Sequence, residues 1–263
     1  MDVYSFLEAV RGKHPVVHHL TNWVTIYDCA QVVKSFGASP VMAHAPEEVA
    51  EMSGLASALV LNIGTLTADF IESMKIAARA ANSRNIPVVL DVCGAGATTL
   101  RDKKSFELID ETHVAIIKGN RSEVARIAGL DVRTRGVDAA DVVADLRELA
   151  TRLARERNCS VVITGREDIV ADGNRTYVIR NGNEMMSHVV GTGCMATSVI
   201  GTFAGASQND ITAAAAAGLC CYEVAAELAI EKSSGPASFK QHLFDCIFSL
   251  TKDNVLSMQK VEQ

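Results

Sequence analysis

Six runs of apolar and β-branched residues recur along the chain: "PVVHHL" (15–20), "SPVMA" (39–43), "ALVLNIG" (58–64), "IPVVLDV" (86–92), "VAIIKG" (114–119) and "SVVITG" (160–165). Each is nearly continuous rather than alternating, as strands covered on both faces are. Between them, "ADFIESMKIAARAANSRN" (68–85) and "DAADVVADLRELATRLARERN" (138–158) space apolar residues three and four apart, with charges on the other face. That spacing predicts amphipathic helices. Alternation of this kind defines an α/β chain: a central, mostly parallel sheet covered by helices on both faces.

After residue 165 the pattern changes. "DIVADGNRTYVIRNG" reads as a hairpin turning at Asp172-Gly173. Two helices of small residues follow at 194–207 and 211–232, the second capped by Asp210. A chain of 263 residues allows one or two domains. No Pro/Gly/Ser-rich linker, repeat or low-complexity block divides it, so residues 1–263 are expected to form a single domain. Aromatics are only 5%, so the core rests on Val, Ile, Leu and Ala. The net charge of −6 offers no basic face to nucleic acid. The first 15 residues read as a short amphipathic helix rather than a signal peptide, and no apolar run is expected to approach the ~20 residues of a membrane span. Seven cysteines without C-x-x-C spacing fit reduced core fillers in a cytoplasmic protein.

Open α/β sheets bind ligands beyond the carboxyl ends of their strands. The polar and small residues there are Asn22, Met42, Asn62, Gly64, Asp91, Lys118, Asn120, Glu123, Thr164 and Gly165. Asp91 leaves the run "VVL" just before a glycine-rich "GAGAT" turn; it either caps the next segment or serves a water-bound Mg²⁺. Asn120 and Glu123 have the spacing of a capping box, and Glu123 is also an acid at the same sheet edge. The chain has no G-x-x-x-x-G-K-[ST], and "GAGATTL" (94–100) lacks the third glycine of a dinucleotide fingerprint.

What remains for phosphate is Gly191, Thr192 and Gly193 ahead of a helix, where glycine admits close backbone approach and the helix start favours negative charge. Cys194 follows. Its thiol has an unperturbed pKa of about 8.5, and a helix N-terminus raises the thiolate fraction; the alternative is a small packing residue. His18 and His19, adjacent on a strand, face opposite sides and cannot share a metal. Together with His44 they are read as packing or hydrogen-bonding residues. Cys220 and Cys221 likewise cannot face one ligand, and Arg166 fits either a phosphate contact or a solvated loop charge.

With those residues assembled, the sequence resembles the hydroxyethylthiazole kinases, a branch of the ribokinase-like superfamily. The resemblance rests on "HHLTNWVT" (18–25), "GASPVMAHAPEEV" (37–49), "ALVLNIGTL" (58–66), "LDVCGAGAT" (90–98), "IKGNRSEV" (117–124), "VVITG" (161–165) and "GTGCMATS" (191–198). It implies a ribokinase-like fold and transfer of the ATP γ-phosphoryl to the alcohol of 4-methyl-5-(2-hydroxyethyl)thiazole, a salvage step in thiamine biosynthesis. A homotrimer with sites between subunits is also implied. Carried over, Met42 and Gly191 match thiazole contacts, with Asn22 and Gly64 as further wall residues. Lys118 and Thr164 match ATP contacts, and Asp91 and Glu123 match the Mg²⁺-associated acids. Gly191, Thr192, Gly193 and Cys194 form the catalytic turn, the cysteine standing where many superfamily members have an aspartate base. The chain departs from the pattern at Val92-Cys93 (usually Pro-Val), at Val190 (usually Thr) and at Ala237 (commonly Gly). Two competing readings are a related kinase for a hydroxymethylpyrimidine or pyridoxal, and a non-catalytic thiazole- or nucleotide-binding oligomer.

Overall fold

The computed structural model describes residues 1–130 and 146–263. Its centre is a nine-stranded sheet in the order β2-β1-β3-β4-β5-β6-β7-β8-β9. The strands are β1 (Val16–Leu20), β2 (Ser39–Val41), β3 (Ala58–Asn62), β4 (Val88–Asp91), β5 (Ile116–Asn120), β6 (Ser160–Thr164), β7 (Asp168–Ala171), β8 (Thr176–Ile179) and β9 (Val261–Glu262). The first six pair in parallel and coincide with the six apolar runs. The last three pair antiparallel, so the expected hairpin is β7–β8, turned by Asp172, whose carboxylate accepts from Asn174 N and Arg175 N, both at 2.8 Å. β9 was not foreseen; two residues carry no period.

The helices are α1 (Val3–Lys13), α2 (Ile26–Ser35), α3 (Val49–Leu55), α4 (Ala68–Asn82), α5 (Thr99–Glu111), α6 (Arg121–Ile127), α7 (Leu146–Arg157), α8 (Thr192–Ala206), α9 (Ile211–Ile230), α10 (Pro236–Phe248) and α11 (Lys252–Met258). Two apolar clusters sandwich the sheet. One unites α1, α2, α8, α9 and α10; the other unites α4, α5, α6 and α7. This is the doubly covered α/β sheet that the alternating pattern requires. The helix expected over 138–158 is seen as α7, and its first eight positions lie outside the described residues.

One expectation is corrected. Gln208–Ile230 is long and apolar enough to cross a membrane, but 83% of its apolar 18-residue window is buried inside the molecule. Eight of its residues are alanine, and Thr212, Gly218, Glu223 and Glu227 interrupt the apolar run, so the sequence shows no unbroken span. Ala has the best helix propensity and lets helices approach closely, so α9 serves as a core helix against α8, α10 and α1. Asp210 caps it as expected, accepting from Ala213 N at 3.1 Å.

Candidate active site

Strand register builds the site. Asn62 on β3 lies opposite Asp91 on β4, and Asp91 lies opposite Lys118 on β5. In-register residues of neighbouring parallel strands point to one face, so the three form a row at the carboxyl edge. Asp91 Oδ2 collects three donors: Asn62 Nδ2 at 3.1 Å, Lys118 Nζ at 3.2 Å and Thr197 Oγ1 of α8 at 2.6 Å. Among the described residues no hydrogen bond reaches Oδ1, and no backbone N–H donates to this side chain, so Asp91 is not a cap. Lys118 Nζ also donates to the Gly193 carbonyl at 3.0 Å. Burial disfavours the ammonium, but Asp91, Glu123 and Cys194 outweigh it and raise the Lys118 pKa.

Cys194 sits over the end of this row. Its sulfur accepts from Asn22 Nδ2 at 3.2 Å and from Asn62 Nδ2 at 3.4 Å. Asn22 is itself oriented, because its Oδ1 takes both Thr25 N at 3.1 Å and Thr25 Oγ1 at 3.0 Å. Gly64 N fixes the Asn62 amide by donating to its Oδ1 at 2.9 Å. The neighbouring Cys93 thiol donates toward Cys194 and is the largest influence lowering its pKa, to about 6, against burial and the Asp91 charge. Cys93 is correspondingly pushed up, first by that bond and then by its own burial. The departure at residue 93 therefore places a second thiol at the centre of the site.

The helix over the site starts two residues earlier than expected, at Thr192, with Gly191 as its N-cap. Gly191 has φ +96°, and a Cβ there would stand 2.6 Å from Thr25 Cγ2, so both backbone and space demand glycine. The first helical bond runs from Met195 N to Gly191 O at 2.8 Å. The amides of Thr192, Gly193 and Cys194 precede it, and no side chain caps them. The Thr192 hydroxyl turns back to Met186 O at 2.8 Å, leaving its amide, not its side chain, for a ligand.

A cavity of about 1070 Å³ opens beside this turn, bordered by Thr192, Gly193, Asn120, Thr164 and Arg166. Glu123 is engaged as the capping spacing foretold: Oε2 accepts from Asn120 N and Oε1 from Gly94 N, both at 2.7 Å, while Asn120 Oδ1 accepts from Glu123 N at 3.0 Å. Burial nonetheless raises its pKa against those two bonds. Thr164 Oγ1 leans on the Gly119 carbonyl at 3.4 Å. Met42 stands half-buried just past edge strand β2, and no hydrogen bond joins its side chain to the network.

The histidines behave as expected. His18 bonds to Ser53 Oγ and Ala43 O, and His19 to Val17 O and Ser198 Oγ, on opposite faces of β1. His44 packs edge-on against Trp23. Three residues central to the network had no role assigned from sequence: Asn62, Thr197 and Cys93. Asn62 was visible as a strand-end amide, and Thr197 lies three residues beyond Cys194 on the same helix. Nothing in the sequence signals the thiol pair, since 100 residues lie between its members.

A mostly parallel sheet with a helix N-terminus and an acid–lysine row at its carboxyl edge is an α/β frame with its ligand site beyond the strand ends. A solved ribokinase-like superfamily protein from Enterococcus faecalis shares the fold, with a TM-score of 0.64 at 12% identity over 92% of this chain and 89% of its own. The family model for the hydroxyethylthiazole kinase family matches residues 7–253, and the chain belongs to that family. It is 51% identical to a hydroxyethylthiazole kinase of Methanosarcina acetivorans over 98% of both chains. The solved hydroxyethylthiazole kinase protein of Pyrococcus horikoshii superposes with a TM-score of 0.91 at 36% identity, covering 99% of this chain and 98% of that one. The kinase assignment and the ribokinase-like fold implied by the sequence both stand, and the non-catalytic reading and the other superfamily substrates give way.

Proposed function

We propose that the chain transfers the γ-phosphoryl of ATP to the hydroxyl of 4-methyl-5-(2-hydroxyethyl)thiazole, the salvage step expected in thiamine biosynthesis. The observation that carries the reading is the meeting of three uncapped amides, a thiol and a buried acid–lysine pair at one sheet edge, beside a cavity large enough for a nucleotide. Phosphoryl transfer depends chiefly on alignment and charge stabilisation, with little call for a strong base.

The amides of Thr192, Gly193 and Cys194 hold the transferring phosphoryl, and Gly191 lets the backbone come close enough to do so. Lys118 adds positive charge beneath that turn, and Thr164 borders the nucleotide cavity. Asn22, Gly64, Met42 and Gly191 form the thiazole side. Cys194 orients the substrate hydroxyl and takes its proton late; with its pKa at about 6 it is largely thiolate at neutral pH.

Among the described residues no group of three or more His, Cys, Asp or Glu side chains could cage a metal. The acids that are present suit a Mg²⁺ held mainly by phosphates and water: Asp91 keeps Oδ1 free of protein donors, and Glu123 keeps further lone pairs beyond its two amide bonds. When bound there, Mg²⁺ would neutralise phosphate charge. Asp91 and Glu123 are the residues that would receive its waters.

The reading includes a homotrimer in a reducing, cytoplasmic setting. Val24, Tyr27 and Val190 are 68%, 72% and 73% exposed and flank the Thr25–Gly191 contact, an apolar rim suited to a neighbouring subunit. All seven cysteines are free. The test is to incubate the protein with ATP, Mg²⁺ and the thiazole alcohol and to look for the monophosphate by mass. Absence of product from folded trimer at high enzyme concentration overturns the reading.

A further inference from the structure

The cavity beside α8 has a chemically mixed lining. Thr192 and Gly193 of the helix start and Arg166 border it, and so do Asp168, Gly182 and Glu223. Asp168 opens β7 and Glu223 lies within α9, so one acid comes from the sheet and the other from the helix layer packed on it, and they are only 5% and 6% exposed. Among the described residues neither forms an ion pair. Asp168 Oδ1 accepts from Gly165 N at 2.9 Å. Among the described residues no protein donor reaches Glu223, and its Oε2 is buried without a partner.

Burial, then the adjacent Asp168 charge, push the Glu223 pKa up, favouring the neutral carboxyl that can give its O–H to Asp168. Oε2 is left without a protein donor, on a side chain that lines a cavity large enough for a nucleotide. Native folds rarely leave such an atom unpaired, so the missing donor is brought by what fills the cavity.

We propose that Glu223, held in place by Asp168, accepts a hydrogen bond from the nucleoside half of the phosphoryl donor and sets nucleotide specificity. This rests on the reading that the cavity takes ATP with its phosphates at the start of α8. Phosphate oxygens are acceptors and carry negative charge, so they cannot face this carboxyl pair. The nucleoside half of ATP offers two kinds of donor, the ribose hydroxyls and the exocyclic amine of the base, and either supplies the required chemistry.

The test is calorimetric binding plus steady-state kinetics with ATP, 2′-deoxy-ATP, 3′-deoxy-ATP and inosine triphosphate, on wild type, Glu223→Gln and Glu223→Leu. Glutamine repeats the neutral carboxyl, giving N–H to Asp168 and keeping an acceptor oxygen, whereas leucine keeps bulk only. Wild type and Glu223→Gln are expected to bind one analogue about 10-fold more weakly than ATP. A deoxy analogue showing the penalty identifies the ribose; inosine triphosphate identifies the amine. Glu223→Leu should bind ATP about 10-fold more weakly and lose the discrimination, with the KM for the thiazole alcohol unmoved. Equal binding of all four nucleotides by wild type, or undiminished discrimination in Glu223→Leu, overturns the inference and leaves the oxygen to water. Failure of wild type to bind ATP in the same titration overturns the underlying reading as well. Should Glu223→Leu not fold, the wild-type and Glu223→Gln series decides alone.

Discussion

Lys118 Nζ donates to Asp91 Oδ2 at 3.2 Å with both side chains almost wholly buried, 5% and 2% exposed. Strand register alone brings them together, and the pair joins two strands to the first turn of the helix above. Breaking a buried pair strands one charge, which costs about 3–5 kcal/mol, whereas removing both charges is often neutral. Lys118→Met should therefore lower stability by roughly that amount. The double variant Lys118→Met with Asp91→Asn should regain most of the stability while staying inactive. Chemical denaturation of the three proteins checks this; a single variant as stable as wild type would sink it.

Cys194 should impose an acidic limb on the rate. Its pKa is lowered to about 6, so the thiolate forms above that pH and activity falls as pH drops through it. Replacing Cys93 by Val removes the donor that favours the thiolate, and the limb should move to higher pH. Cys194→Ala should reduce kcat by about 10²-fold, near the lower range for a proton-transfer group. If Cys194→Ala and Cys194→Ser both keep wild-type kcat across pH, the thiol has no chemical role.

Gly191→Ala meets two obstacles, a φ of +96° and a 2.6 Å approach to Thr25 Cγ2. Together they should cost about 1–3 kcal/mol and displace the amides that follow. Adding Thr25→Ser removes the clashing methyl but not the backbone strain, so it should restore only part of the loss. Thermal melts and kcat of the single and double variants measure the split, and full recovery in the double variant contradicts the backbone argument.

The apolar rim at Val24, Tyr27 and Val190 should be an intersubunit surface. Tyr27→Asp should shift the molecular mass measured by light scattering from trimer to monomer and depress activity with it. A wild-type monomer at micromolar concentration, or an unchanged trimer in the variant, contradicts that assignment.

Much of this architecture is legible in the sequence, for particular reasons. Doubly covered parallel strands announce themselves as unbroken apolar runs, and β1 to β6 fall where those runs lie. Asp91, Lys118 and Asn22 are candidates from the sequence because strand ends are where ligands bind, and the structure brings them into one hydrogen-bonded network. The start of α8 was misplaced because Thr192 and Gly193 are weak helix formers that read as loop. Asn62 could be seen, but its two bonds to Asp91 and Cys194 depend on the register of β3 against β4. The nearness of Cys93 to Cys194, and of Asp168 to Glu223, depends on how layers stack, which no local spacing records.

The membrane-like apolarity of α9 has a consequence for biosynthesis. Of its main partners, α8 and α1 are synthesised before it and only α10 after it, so the stretch leaves the ribosome to find much of its covering surface already made. An apolar segment placed early would wait exposed, inviting capture by insertion machinery or by other chains. Placed late, it has a short interval as a free hydrophobic helix. A circular permutant that puts α9 first would lengthen that interval and should load the chaperones accordingly.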